Sequence, residues 1–401
     1  MKHKVYKLHE IGSKMKKRVF TILLIILLLA GGGWLSIHLL KQPTATTPAL
    51  TPAKTSAAYT SVNGKYLFSG TVMLGRAVET YANGDYNQPF SGLASLGSYD
   101  ARIGVFECPI TNNTVSYATE VNNLIFNCKP AWIPTLKKYF PILDLSSDHL
   151  NDQGSEGIAE TFKFLQLAGI QTVGNYNPHT DADNCKAMML PVHVEKSDGQ
   201  STDASMPVAM CSYNYKIVFS PAPGELESIQ KWSKIMPVIG LMNGGPEYQH
   251  LAGTDQINVA HKMIDYGASF VVGNGTHWVQ NTEVYKDKLI VYSMGNFIFD
   301  QLDYDGRIAL NLSVGMNIKY DDNVGNWLKV ADSCKSDTAN CLGQATAKGL
   351  QKMNPSFTFD AVGSYGGARQ VATKASAQQQ KDVEQRANWP QTQQLLTKQS
   401  H

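Results

Sequence analysis

Between Val19 and Leu40 the chain has no Lys, Arg, Asp or Glu, and the segment before it is crowded with cations. Lys2, Lys4, Lys7, Lys14, Lys16, Lys17 and Arg18 face a single acid, Glu10. About 20 apolar residues cross a bilayer as a helix. The charge step therefore predicts a cytoplasmic basic segment over residues 1–18 and one transmembrane signal anchor over 19–40. A cleaved signal peptide is the alternative, with Ala30-Gly31-Gly32 as the cleavage site. Either way everything after Leu40 is placed outside the cytoplasm. Residues 41–60 are rich in Pro, Thr and Ala and read as a flexible tether.

Regular periodicity begins near residue 61. Short apolar runs rich in β-forming residues predict strands at 66–74, 103–106, 142–145, 170–173, 189–194, 206–211, 215–219, 237–242 and 269–272. Helical spacing predicts helices at 130–139, 155–168, 225–235 and 255–266. Glu283-Val284-Tyr285 and Leu289-Ile290-Val291-Tyr292 flank a turn and read as a hairpin. A long strand is expected over 307–320, and the pattern is weak from 321 to 355. Residues 376–401 are Gln-rich and polar and read as a tail, the end of a helix followed by disorder. Strands alternating with helices over 61–375 predict one α/β domain.

Composition narrows the class. The chain has 401 residues, 43% hydrophobic, with a net charge of +2. That suffices for one sizeable core, and no global field points to nucleic acid. The six cysteines, Cys108, Cys128, Cys185, Cys211, Cys334 and Cys341, form no CxxC pair, which argues against a structural zinc site. In an exported chain an even count predicts disulfides, whose connectivity a sequence does not fix. Nearest-neighbour pairing is the working expectation.

Polar motifs follow the expected strands, where α/β proteins place ligands. In order they are Ser69-Gly70-Thr71 running to Arg76, Phe106-Glu107-Cys108-Pro109, Ser147-Asp148-His149 with Asp152 and Gly154, Asn243-Gly244-Gly245-Pro246-Glu247-Tyr248, Gly273-Asn274-Gly275-Thr276-His277, and Tyr292-Ser293-Met294-Gly295-Asn296-Phe297. His149 suits metal ligation or acid–base work. Asp152 reads as the cap of the next helix, or as the partner that orients His149. No GxSxG elbow, P-loop, GxGxxG or HExxH is present.

This series resembles the poly-gamma-glutamate capsule-synthesis family, the CapA-like proteins. The resemblance implies a metallophosphatase-like α/β sandwich behind one N-terminal transmembrane helix. It also implies a role in making a cell-surface polymer. Against the family's patterns, Thr71 stands where an aspartate follows Gly, and Glu107 matches the Glu of Asn-Leu-Glu-x-Pro. Asp148 and His149 fall in Asn-Asn-His-x-x-Asp-x-Gly. Asn243 replaces the His of His-Trp-Gly-x-Glu-Tyr, and Gly275 replaces a His of Gly-His-His-Pro-His.

The ligand set the resemblance leaves is Glu107, Asp148, His149 and His277. His149 and Asp148 are the catalytic candidates, and Arg76, Glu247, Tyr248 and Asn296 the substrate-binding ones. That set supports one divalent ion (Mn, Zn or Fe) or none, and argues against two bridged metals. Two functions are carried forward. One is a degenerate member that binds an anionic polymer of the polyglutamate type, or a capsule-synthesis membrane protein, without full metal catalysis. The other is a mono-metal hydrolase or transferase acting on a surface polymer. Whether the chain is an enzyme is left open by the sequence. The expected location is the plasma membrane, single-pass, with the N-terminus cytoplasmic.

Overall fold

The first strand, Tyr59–Val72, ties the domain together because its two halves pair with different sets of strands. The computed structural model describes residues 57–180, 183–218 and 220–398. The expected anchor at 19–40 lies outside them, and among the described residues no helix is long and apolar enough to cross a membrane.

Fourteen strands are present among those residues: β1 (Tyr59–Val72), β2 (Ala101–Phe106), β3 (Ile142–Asp144), β4 (Gln171–Val173), β5 (Cys185–Lys196), β6 (Ser201–Asn214), β7 (Val238–Asn243), β8 (Phe270–Asn274), β9 (Thr282–Tyr285), β10 (Lys288–Val291), β11 (Asn296–Ile298), β12 (Ile308–Lys319), β13 (Ser356–Gly366) and β14 (Ala372–Lys374). One path runs β14-β13-β12-β1-β5-β6-β7-β8-β10-β9. The other leaves β1 through β2, β3 and β4, with β11 also on β1.

The first half of β1 pairs antiparallel with β12 and β5. Its second half pairs parallel with β2 and β11. The register shifts between Ser69 and Thr71, where β1 changes partners. Gly70 is required there, since a Cβ would lie 2.0 Å from the carbonyl oxygen of Gly295.

Alternation along a strand sends neighbouring side chains to opposite faces. Tyr66 and Phe68 enter one apolar cluster with Trp232, Phe270 and Trp327. Leu67 and Val72 enter a second cluster with Phe90, Trp132, Phe140 and Phe297. Burial on both faces explains why residues 66–74 read as a near-continuous apolar run. The result is a mixed α/β sandwich, as the sequence pattern and the resemblance both imply.

Most expected elements are present, several of them longer. The pair expected at 189–194 and 206–211 is one long hairpin, β5–β6, with Cys185 opposite Cys211. All three nearest-neighbour disulfides form: Cys108–Cys128, Cys185–Cys211 and Cys334–Cys341.

Three expectations fail. Residues 215–219, read as a strand, begin a short helix, Tyr215–Val218. There the Asn214 side chain accepts from the Lys216 N–H at 3.1 Å and turns the chain away from β6. The weak region at 321–355 holds helices Asp322–Ser336 and Cys341–Ala347. Asp321 caps the first through Val324 N–H at 2.7 Å, and Val324, Trp327, Val330, Ala331 and Cys334 form its buried face. The polar tail contains helices Ala377–Arg386 and Trp389–Lys398, which bury Val383, Ala387 and Trp389.

Candidate functional site

The carboxyl ends of β1, β2, β3, β7 and β8 deliver the motifs, and β11 begins with Asn296. β1, β2 and β3 are mutually parallel, and so are β7 and β8. Parallel pairing places the loops after these strands on one edge, the usual ligand crevice of such sheets.

Glu107 directly follows β2 and is only 4% exposed. Its carboxyl accepts no hydrogen bond from the described residues. Burial holds it above the ordinary carboxylate value, with the charges of His277, His149 and Lys216 opposing and that of Asp148 reinforcing. The charges of Asp148, His149 and His277 are thus near enough to act on Glu107.

His149 lies on the turn after β3. Its Nδ1 meets Asp152 Oδ2 at 2.8 Å, and its ring stacks on Phe126 with centroids 4.0 Å apart. Burial alone would lower this imidazole. The hydrogen bond that Asp152 accepts from it and the charges of Glu107, Asp152 and Asp148 carry it above its ordinary value. Asp152 is therefore an orienting partner; the helix Gly154–Ala168 has Gln153 as its N-cap, with no side-chain bond. Asp152 also accepts from the Phe126 N–H at 2.7 Å, which fixes the ring under His149.

His277 is 8% exposed, and its Nδ1 lies 3.1 Å from Asn296 Oδ1. Asn296 in turn donates to Gln301 Oε1 at 2.8 Å. The His277 ring is flanked by Tyr248 and Phe299 at centroid distances of 5.4 and 5.1 Å. Tyr248 accepts from Gln301 Nε2 at 3.0 Å. Asn296 thus acts on the site by orienting His277, while Tyr248 stands at its rim, 41% exposed.

Arg76 is engaged by the fold itself. Its guanidinium bonds Asp300 at 2.5 Å and lies over the rings of Phe126 and Phe299. Together with the two histidine stacks this makes a continuous arc, Tyr248–His277–Phe299–Arg76–Phe126–His149, at the site. Glu247 pairs with Lys216. Burial alone would raise the Glu247 carboxyl, but Lys216, with His277 and His149 behind it, holds it below the ordinary value.

Three of these residues carry backbone strain. Arg76, Tyr248 and His277 have φ of 49°, 55° and 65°. Left-handed backbone disfavours side chains with a Cβ and concentrates at functional sites. They are three of ten non-glycine residues with positive φ among those described.

The side chains present do not fit a divalent ion. In the amide orientation that satisfies its neighbours, Asn274 accepts from the Thr71 hydroxyl at 2.6 Å and donates to the Gly295 carbonyl at 3.2 Å. Thr71 is therefore spoken for. The Asn243 amide oxygen occupies the space where a side chain on residue 275 would begin, 1.9 Å from a Cβ built on Gly275. Glu247 is neutralised by Lys216. Among the described residues no group of three or more His, Cys, Asp or Glu could hold a metal. One fragment of such a site survives, the His149–Asp152 pair, which is how carboxylates orient ligating histidines.

Sequence reasoning missed Lys216, Phe126, Phe299 and Asp300. Lys216 lay in a stretch read as a strand, and Asp300 only in the margin of the last motif. Phe126 sits in an irregular segment whose one signal is Cys128, which the disulfide brings to Cys108 beside Glu107.

Residues 65–301 match the model of the family described as "Bacterial capsule synthesis protein PGA_cap". The capsule biosynthesis protein CapA of Bacillus anthracis is 28% identical over 245 residues, 58% of this chain and 59% of that protein. The PGA biosynthesis protein CapA of Bacillus subtilis (strain 168) is 26% identical over 246 residues, 58% of this chain and 63% of that protein. A probable polyglutamine synthesis accessory protein of Mycobacterium tuberculosis (strain ATCC 25618 / H37Rv) is 23% identical over 195 residues, 45% of this chain and 50% of that protein. The matched region thus spans less than two thirds of each of these relatives. The motif order, the strand-end site and the family match over 65–301 lead to one conclusion: the chain belongs to the bacterial capsule synthesis protein family, the CapA-like proteins.

Proposed function

We propose that this protein is a membrane-anchored, extracytoplasmic participant in the synthesis of a capsule or other surface polymer. In this reading its site binds an anionic polymer of the poly-gamma-glutamate type, or a membrane protein of the same machinery, without full metal catalysis. Residues 19–40 serve as the anchor. The names of the Bacillus relatives support the polymer class. The observation that supports the loss of metal chemistry is that polar groups at the motifs are engaged by one another, Thr71 with Asn274 and Glu247 with Lys216, while Asn243 fills the space beside Gly275.

The second reading, a mono-metal hydrolase or transferase, draws on the His149–Asp152 pair beside the buried Glu107. Metal content of the full-length protein, beside a His149→Ala/His277→Ala variant, separates the two. Binding to soluble poly-gamma-glutamate is measured on the same samples. No metal in either protein, with polymer bound by the parent, is the expected result. One equivalent of Mn, Zn or Fe in the parent and none in the variant would establish the second reading instead.

A further inference from the structure

Lys216 belongs to none of the motifs, yet its ammonium enters the site. β6 and β7 run parallel with Asn214 opposite Asn243, so the residues after β6 emerge beside the loop that carries Glu247. Asn214 is fully buried and donates to the Tyr176 carbonyl at 2.8 Å. Its oxygen holds the Lys216 N–H. Tyr215 lies against Gly244, where a Cβ would come 3.2 Å from Tyr215 Cβ and 3.3 Å from its carbonyl carbon. The two loops pack without slack, and the base of Lys216 is fixed.

The other positive groups nearby are committed elsewhere. Arg76 is bonded to Asp300 and held between two rings. His149 is bonded to Asp152. Among the described residues the acid that Lys216 pairs with is Glu247, and its charge also reaches Glu107. The Lys216 side chain is 13% exposed and its partner Glu247 39%, so the pair is buried at the lysine end and open to solvent at the carboxylate end. A buried carboxyl such as Glu107 is costly to ionise unless positive charge is near.

From this placement we infer that Lys216 is the resident cation of the site, a fixed ammonium that holds Glu247 in place where a divalent ion would otherwise be needed. The inference rests on the metal-independent reading above. An ammonium is a compact point charge with three donors and suits carboxylates arriving from different loops. It makes Lys216 a positioning residue, acting through Glu247.

The test uses full-length protein treated with EDTA. Lys216→Met keeps the stem and removes the charge. Its midpoint of thermal unfolding is expected to fall by more than about 2 °C, beyond what an exposed ion pair supplies. Lys216→Arg should restore most of that loss. Lys216→Met/Glu247→Gln should restore part of it, because the acid left unpaired is gone. An unchanged midpoint in Lys216→Met overturns the inference. So does a fall that neither Lys216→Arg nor the double variant reverses, which would identify packing as the cause. Both results leave the metal-independent reading standing. That reading fails separately, if the parent keeps one equivalent of Mn or Zn through EDTA treatment.

Discussion

The tightest point of the site is Gly275, and Gly275→Ala is the perturbation that tests how it is built. The residue has φ of +91° and faces Asn243, whose amide oxygen would lie 1.9 Å and Cγ 2.9 Å from a new Cβ. The Gly244 nitrogen would lie at 3.1 Å. Retreat is blocked, because that N–H donates to the Asn274 carbonyl at 3.0 Å. Left-handed backbone costs a residue with a Cβ about 1–2 kcal/mol, and overpacking adds about 1–3 kcal/mol. The variant should therefore lose about 2–5 kcal/mol in urea unfolding, read as a lower midpoint at constant slope. Asn243→Ala in the same chain removes the overlap and leaves the strain, so roughly half the loss should return. A Gly275→Ala variant within about 0.5 kcal/mol of the parent would refute the account and reopen position 275 to the histidine of the family pattern.

Other expectations follow from the same geometry. Because His149 is held above its ordinary value, its contribution to stability is complete below the unfolded value of about 6.5 and fades as pH rises through the folded value. Asp152→Asn should lower the His149 titration midpoint followed by NMR; an unmoved midpoint would show that Asp152 does not control the ring. Glu107 is the opposite case, an acid raised by burial, so folding loses stability as pH climbs above about 4.5. Glu107→Gln should stabilise the protein at pH 7.5 and not at pH 4, by denaturation at both pH values. The Cys108–Cys128 disulfide closes a separation of 20 residues. Its replacement by two alanines should cost about 3 kcal/mol and shift the ring-current-sensitive His149 resonances, since the Phe126 segment is then untied from Glu107.

The fold was legible because its signals were local. β3, β7, β8 and the β9–β10 hairpin are short runs bounded by turn residues, and their side chains alternate or vanish into the core as the pattern says. The helix Asp322–Ser336 was not legible, because its buried Trp327, Val330 and Cys334 are separated by polar residues that dilute the stripe. The short helix at Tyr215–Val218 hid behind strand-forming residues, and only the Asn214 side chain turns it. At the site, the motifs fall on loops at neighbouring strand ends, and Asp148, His149 and His277 act electrostatically on Glu107. What a sequence could not show was the pairing between loops. Arg76 reads as free for an anion until Asp300, more than two hundred residues away, is seen on it. Glu247 reads as a free acid until Lys216 reaches it.

β1 receives the chain at Tyr59 and ends at Thr71–Val72, beside the site. Thirteen residue steps separate its ends, about 43 Å of extended backbone. It is held on both sides for most of that length, so tension entering at residue 59 loads its ladders in shear, many bonds together. The strand is thus a tension member as well as a scaffold. A pull on the chain through its N-terminal end is resisted by the whole ladder before it can disturb the loops that hold His149 and His277.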